Sequence, residues 1–320
     1  REVGQTSRKA MTTPQEAAIY LAQEAGVPVN HNRPLTDLGN AERLVDAHGQ
    51  DLRYLFPWRK WLAWDDRRWK LDADGEVMRR AKATVRALYQ QATDMAQMAT
   101  GESDETLRKQ YASTAEALLQ WARKSESDRL LDHMVARARA ESAISTEPAA
   151  LDADPWLFNC LSGTVDLRTG ELAPHSRDSM ITKLAPTEYD PGAQCPNWLA
   201  FLDRVMDGNQ GLIDFLQRAI GYSMTGITTE HCLFVLYGTG RNGKSTFLNT
   251  FLGLMGDYAH KAPPDLLMVR HWDSHPTERA LLHGIRFAPA IETQQGRYMD
   301  EVTTKELTGG DPVVARRMRE

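Results

Sequence analysis

The apolar positions change period along the chain, and each change marks a different kind of element. Leu52–Phe56, Trp61–Trp64 and Arg67–Leu71 read as short strands, with Asp65-Asp66 as a two-residue hairpin turn. From Met78 the spacing becomes helical. Met78, Ala81, Val85, Leu88, Ala92 and Met95 form one stripe. Leu107, Tyr111, Ala115, Leu118 and Ala122 form a second, and Leu131, Met134, Val135 and Ala138 a third. Gly101, Ser103 and Asp104 break and recap the chain, so these stripes predict a small antiparallel helical bundle. Trp156–Cys160, Thr164–Leu167 and Ile181–Leu184 then read as strands, with a tight turn at Arg168-Thr169-Gly170. After Pro186, Pro191 and Pro196 come two helices, Trp198–Met206 and Leu212–Met224. Leu233–Leu236 has strand composition, and Phe247, Leu248, Phe251, Leu252 and Met255 recur at helical spacing. Ile285–Ile291 reads as a buried strand and Tyr298–Leu307 as a helix. Upstream of all this, residues 1–35 are polar linker with one short helix, capped by Thr13 and stopped by Gly26. Asn40 is the expected cap of a helix through Leu44 and Val45 that ends near Gly49.

Composition narrows the classes. A 320-residue chain with 42% hydrophobic and 25% charged residues fits about two globular domains. The net charge of −5 gives no global basic field, although a local basic surface is still compatible with it. Cys160, Cys195 and Cys232 lie far apart and fit buried thiols in a reducing compartment better than a disulfide framework or zinc site. No apolar run approaches the roughly 18 residues of a membrane span, and no signal peptide is visible. The expected location is the cytoplasm.

The most specific chemistry lies between the strand at Leu233 and the helix at Phe247. Gly238-Thr239-Gly240-Arg241-Asn242-Gly243-Lys244-Ser245 matches G-x-x-x-x-G-K-[ST], followed by Thr246. Strand, glycine-rich loop and helix in that order make a P-loop. The glycines let backbone N–H groups turn inward around phosphate oxygens, and the helix N-terminus adds its positive end. Lys244 is expected to reach the β- and γ-phosphates of ATP, and the Ser245 hydroxyl to ligate Mg2+. Glu292 ends the Ile285–Ile291 strand, downstream of the P-loop. That is the position of a Walker B carboxylate, which holds magnesium and polarises the attacking water. The two strands should lie side by side or one apart, so that Lys244 and Glu292 meet over one phosphate.

Other features carry weaker signals. Trp58, Trp61, Trp64 and Trp69, beside Arg59, Lys60, Arg67 and Arg68, suit a packed hairpin core better than base stacking. The basic residues Arg79, Arg80 and Lys82 suit a solvated helix face. His271 and His275 have helical metal spacing but no acidic base between them, which argues against zinc.

Taken together, G-x-x-x-N-G-K-S-T, G-D-Y-A at Gly256, P-T-E-R-A at Pro276, R-F-A-P-A-I-E-T at Arg286 and K-E-L-T-G-G-D-P-V-V-A-R-R at Lys305 resemble the phage and plasmid primase-helicases. These include the satellite-phage and poxvirus primase-helicases, superfamily-three helicases with an AAA+-like core. Upstream, T-D-L-G-N-A-E-R-L-V-D-A-H-G-Q-D-L-R-Y at Thr36, W-L-A-W at Trp61 and N-C-L-S-G-T-V-D-L-R-T-G at Asn159 resemble the accessory domain that precedes such a core. The resemblance covers residues 36–320. It implies a linker over 1–35, an α+β accessory domain with a helical bundle over 36–205, and a C-terminally truncated three-layer α/β P-loop ATPase over 206–320. It also implies an ATP-dependent helicase that translocates on single-stranded DNA as a hexameric ring, fused to or associated with a primase, in the host cytoplasm. Lys305, Arg316 and Arg317 would belong to the block at the DNA channel, although the two arginines equally suit a solvated hairpin. The sensor asparagine and arginine finger are expected beyond Glu320, so residues 1–320 are expected to bind nucleotide weakly and hydrolyse it poorly. A P-loop NTPase of another kind (a packaging motor or a nucleotide kinase) and a non-catalytic replisome adaptor are the competing readings.

Overall fold

A computed structural model describes residues 33–269, 279–290 and 298–310. The chain divides into two compact units, one of residues 1–64 with 70–148 and one of residues 65–69 with 149–320. The second unit therefore holds a small sheet as well as everything from residue 206 onward.

The first unit begins with α1 (Asp37–His48). Thr36, not Asn40, caps it, with its hydroxyl accepting the Gly39 N–H at 3.1 Å. Asn40 is fully buried instead, donating to Ser125 Oγ and accepting from Trp121 Nε1, each at 2.9 Å. Strands β1 (Leu52–Leu55), β2 (Lys60–Trp64) and β3 (Trp69–Leu71) form a sheet in that order. β1 and β2 are antiparallel, with Tyr54 opposite Trp61. The three helical stripes become α2 (Glu76–Gly101), α3 (Glu105–Ser125) and α4 (Asp128–Ala138). Asp104 caps α3 by accepting the Thr106 and Leu107 N–H groups. One end of α2 packs Val77, Ala81 and Val85 against α1, β1 and α4 through Leu44, Leu52 and Met134. Its other end packs Leu88, Ala92 and Met95 against Tyr111, Ala115 and Leu118 of α3. Burial of these stripes supplies most of the helix stability, because isolated helices of this composition are marginal in water.

In the second unit, β4 (Leu157–Cys160), β5 (Gly163–Asp166) and β6 (Glu171–Ala173) form an antiparallel sheet. The third strand is thus residues 171–173 rather than 181–184. Gly170 takes φ 74° in the β5–β6 turn, which brings Glu171 back beside Asp166. Residues 181–185 run along β4 instead, with Ala185 bridged in parallel to Cys160. Trp69, at the hairpin end that groups with this unit, is fully buried and donates its indole N–H to the Arg177 carbonyl at 2.9 Å. Among the described residues the helices α5 (Pro196–Val205), α6 (Gln210–Thr225), α7 (Lys244–Met255) and α8 (Glu301–Thr308) follow. Leu202, Ile220 and Phe247 join α5, α6 and α7 in one apolar cluster.

Two features of this unit bear on the site. Residues 259–262 run parallel to 287–290, with bridges Ala259–Phe287 and Ala262–Ala290. Pro289 lacks an N–H, but its carbonyl accepts from Ala262 N–H at 3.0 Å, so the proline is tolerated in this pairing. Residues 233–237, by contrast, pair with no strand among the described residues. Their apolar side chains lie open, Val235 at 67% exposure. Of the cysteines only Cys160 is buried; Cys195 and Cys232 are exposed, contrary to the expectation of buried thiols. No helix among the described residues is long and apolar enough to cross a membrane.

Candidate phosphate-binding loop

The glycine-rich loop sits between the open segment 233–237 and the start of α7. Its backbone turns at Gly238 (φ 148°), Arg241 (φ 63°) and Gly243 (φ 85°). Gly238 takes a φ that L side chains rarely adopt, and a Cβ there would also displace the Asn242 amide, 2.2 Å away. A Cβ on Gly243 would press on Val205 and Phe201 of α5. These are the positions where the sequence motif demands glycine, for the stated reason that the chain must turn tightly.

Gly243 occupies the N-cap position of α7 and offers no side-chain acceptor to the first-turn amides. Those donors and the positive end of the helix are left facing the loop. Lys244 folds back over the turn. Its ammonium donates to the Gly238 carbonyl at 3.0 Å and to Asn242 Oδ1 at 2.7 Å. It forms no ion pair among the described residues, where its partners are the two neutral acceptors. Ser245 and Thr246 are exposed on the first turn, as are Thr239, Gly240 and Arg241 in the loop. An ammonium with no carboxylate partner among the described residues, amides without a side-chain cap and a glycine-rich turn together suit a phosphate chain. Beside the loop lies a cavity of about 620 Å³ lined by Asn242, Gly243 and Lys244 on one side and by Leu216, Ile220 and Phe287 among its apolar walls.

α7 and the 286–290 segment are tied to the β4–β6 sheet by a network that the sequence did not reveal. Tyr258, just past the end of α7, is fully buried and its hydroxyl accepts the Asn159 N–H at 3.0 Å. Burial pushes the Tyr258 phenol up to about 12. The Arg286 guanidinium lies 4.5 Å from the Tyr258 ring centre. It donates to the carbonyls of Pro155, Leu157 and Met224, each at 3.0 Å. Burial lowers its pKa, and the nearby Tyr258 and Asp152 oppose that shift. Asp257 adds an ion pair with Arg68 and accepts the Leu184 N–H at 3.1 Å. Asn159 completes the hub, donating to the Arg67 and Lys183 carbonyls and accepting from Thr164 Oγ1. The signal available beforehand was an arginine inside an otherwise apolar run.

The other expected site residues separate into two groups. Glu292, Arg316 and Arg317 lie outside the described residues, as do His271 and His275. Lys305 is exposed on α8, 3.5 Å from Glu301 one turn away. Among the described residues no cluster of histidine, cysteine, aspartate and glutamate could hold a metal ion. Of the tryptophans, Trp64 and Trp69 are core residues, as the hairpin reading expected, whereas Trp58 and Trp61 are half-exposed.

Comparison with known proteins gives two matches. A family model described as "D5 N terminal like" matches residues 41–207. The chain is also similar to an Acanthamoeba polyphaga mimivirus protein named "Putative helicase L207/L206", with 27% identity over 175 residues. That alignment covers 52% of this chain and 18% of the relative. The family match ends before the glycine-rich loop begins at Gly238. Both matches agree with the primase-helicase resemblance at the level of family.

Proposed function

The chain belongs to the D5 N terminal like family, and on that premise we propose that it is the accessory and ATP-binding portion of an ATP-dependent DNA helicase from a primase-helicase. The observation that carries this reading is the loop at Gly238–Ser245, where Lys244, paired with no carboxylate among the described residues, and an α7 with no side-chain cap meet a turn with glycine at 238, 240 and 243. Backbone amides of the loop would cradle the phosphates of ATP, with Lys244 spanning the outer two. Ser245 would hold Mg2+, which when bound neutralises charge developing on the transferred phosphoryl group. Glu292 would orient and polarise the attacking water. The parallel bridges between 259–262 and 287–290 support this role, because they give an extended pairing to the segment that immediately precedes Glu292 in sequence. Single-stranded DNA, a hexameric ring and an associated primase belong to the same proposal. So do the three-layer P-loop core and the boundary near residue 206.

The test is nucleotide binding followed with a fluorescent ATP analogue and magnesium. Lys244→Ala should abolish binding. In the intact helicase, Glu292→Gln should keep binding and slow turnover by at least about a hundredfold, trapping ATP. Unchanged binding in the alanine variant would remove the loop from the mechanism. Normal hydrolysis in the glutamine variant would remove Glu292 from it.

A further inference from the structure

Residues 52–64 read L-R-Y-L-F-P-W-R-K-W-L-A-W, with three cations, five aromatic residues and no acid, inside a chain of net charge −5. β1 and β2 carry this stretch, and the turn between them is Phe56-Pro57-Trp58-Arg59. The turn is held by the Arg59 N–H donating to the Phe56 carbonyl at 3.2 Å, with Arg59 at φ 51°. Phe56 is 51% exposed, and Arg59 and Lys60 are exposed and form no ion pair among the described residues.

The exposed ring is not a stray surface residue. It stands at the end of a row in which Phe56 meets Tyr54 edge-on at 4.9 Å and Tyr54 meets Trp61 at 5.0 Å. Arg139 lies over the Tyr54 ring at 5.0 Å. Trp61 Nε1 and Arg139 Nε are both buried without a hydrogen-bond partner. Tyr54 is fixed in the core, so the row is rigid at its base and open at its tip. An anchored aromatic beside two unneutralised cations is the pairing that single strands require. A base can stack on the ring, and the adjoining phosphates can meet the ammonium and guanidinium groups. Duplex bases are already stacked and offer no free face, so the arrangement favours unpaired strands.

We infer that the β1–β2 turn is a contact site for single-stranded nucleic acid, with Phe56 as the stacking platform and Arg59 and Lys60 as the phosphate contacts. Its residues are distinct in sequence from the glycine-rich loop and from the Lys305–Arg317 block. It rests on the nucleic-acid side of the proposed function and not on its nucleotide chemistry.

Fluorescence anisotropy of a labelled oligothymidylate of about 20 nucleotides, without nucleotide, provides the test. Phe56→Ala should weaken binding roughly tenfold. Arg59→Glu with Lys60→Glu should weaken it at least about tenfold and flatten the dependence of log K on log salt by about 1.4, two single-strand phosphate contacts' worth. All three positions are exposed, so an unchanged melting curve accompanies the loss. The assay contains no nucleotide, so a failure of this site and a failure of the nucleotide reading are told apart. The inference is overturned by parental affinity in the turn variants, by no binding in the parent, or by a duplex that binds as tightly as the single strand. It is also overturned if Phe56→Ala is silent while charge reversal weakens heparin or a polyglutamate peptide equally, since the turn would then be a general acid-binding surface.

Discussion

Tyr258 and Arg286 show how single side chains hold α7 and residues 286–290 on the β4–β6 sheet. The Arg286 guanidinium satisfies three carbonyls that are separated in sequence, at residues 155, 157 and 224. Arg286→Met removes all three donors from a mostly buried site and should cost about 2–4 kcal/mol in urea unfolding. Arg286→Lys should recover little, because an ammonium on a thin stem cannot reproduce the planar fork. Tyr258 gives a pH signature. Its folded pKa of about 12 exceeds the roughly 10 of an unfolded tyrosine, so the neutral phenol is the form that the fold prefers. The resulting stability is complete below about pH 10 and is lost as pH rises toward 12. Tyr258→Phe should therefore be less stable than the parent at pH 8 by about 1–3 kcal/mol, since the Asn159 N–H loses its acceptor. The gap should narrow between about pH 10 and 12 as the parent's phenol ionises. A constant gap across that window would show that Tyr258 does not titrate as argued.

At the level of elements, caps and packing separate what could be read from sequence from what could not. Asp104→Ala should destabilise α3 by about 1 kcal/mol, seen as a lower melting temperature, because Asp104 accepts two first-turn amides. Asn40→Ala should cost as much or more for a different reason, leaving the Trp121 indole N–H without its buried acceptor. By type Asn40 is at least as good a cap as Thr36, and only the position of Ser125 and Trp121 assigns Asn40 to the core. The three long helices were legible because their stripes are regular and face one core. β6 was not, because all three of its residues are exposed and it carries no apolar alternation. The loop at Gly238 was legible because tight turns restrict residue type, and Gly238 and Gly243 are where a Cβ would collide. Arg286 was illegible because its partners are backbone carbonyls brought close only by the fold. The 286–290 pairing partner, residues 259–262, was missed for a related reason: short parallel bridges leave no periodic trace.

Across the whole molecule, the least balanced feature is the apolar surface around residues 233–237. Leu233, Phe234, Val235 and Leu236 are between 36% and 67% exposed. Leu212 and Phe215 of α6 and Leu199 of α5 are exposed as well, and the cavity beside the loop is lined largely by apolar groups. Residues 233–237 also join no strand or bridge among the described residues, along an uncharged stretch. Such a segment pairs readily with other chains, and no lysine, proline or bulge within it opposes pairing. The net charge of −5 over 320 residues provides only modest repulsion against association. This polypeptide should therefore bind an apolar dye and associate in a concentration-dependent manner in sedimentation velocity. Val235→Lys places a charge at the most exposed of the four aliphatic and phenylalanine positions, so it should reduce both signals several-fold without lowering the melting temperature of the helical bundle. Leu71→Lys is the control, since Leu71 is 47% exposed on β3 and should leave association unchanged. Equal effects of the two substitutions would mean that general surface charge, and not the open segment behind the glycine-rich loop, governs association.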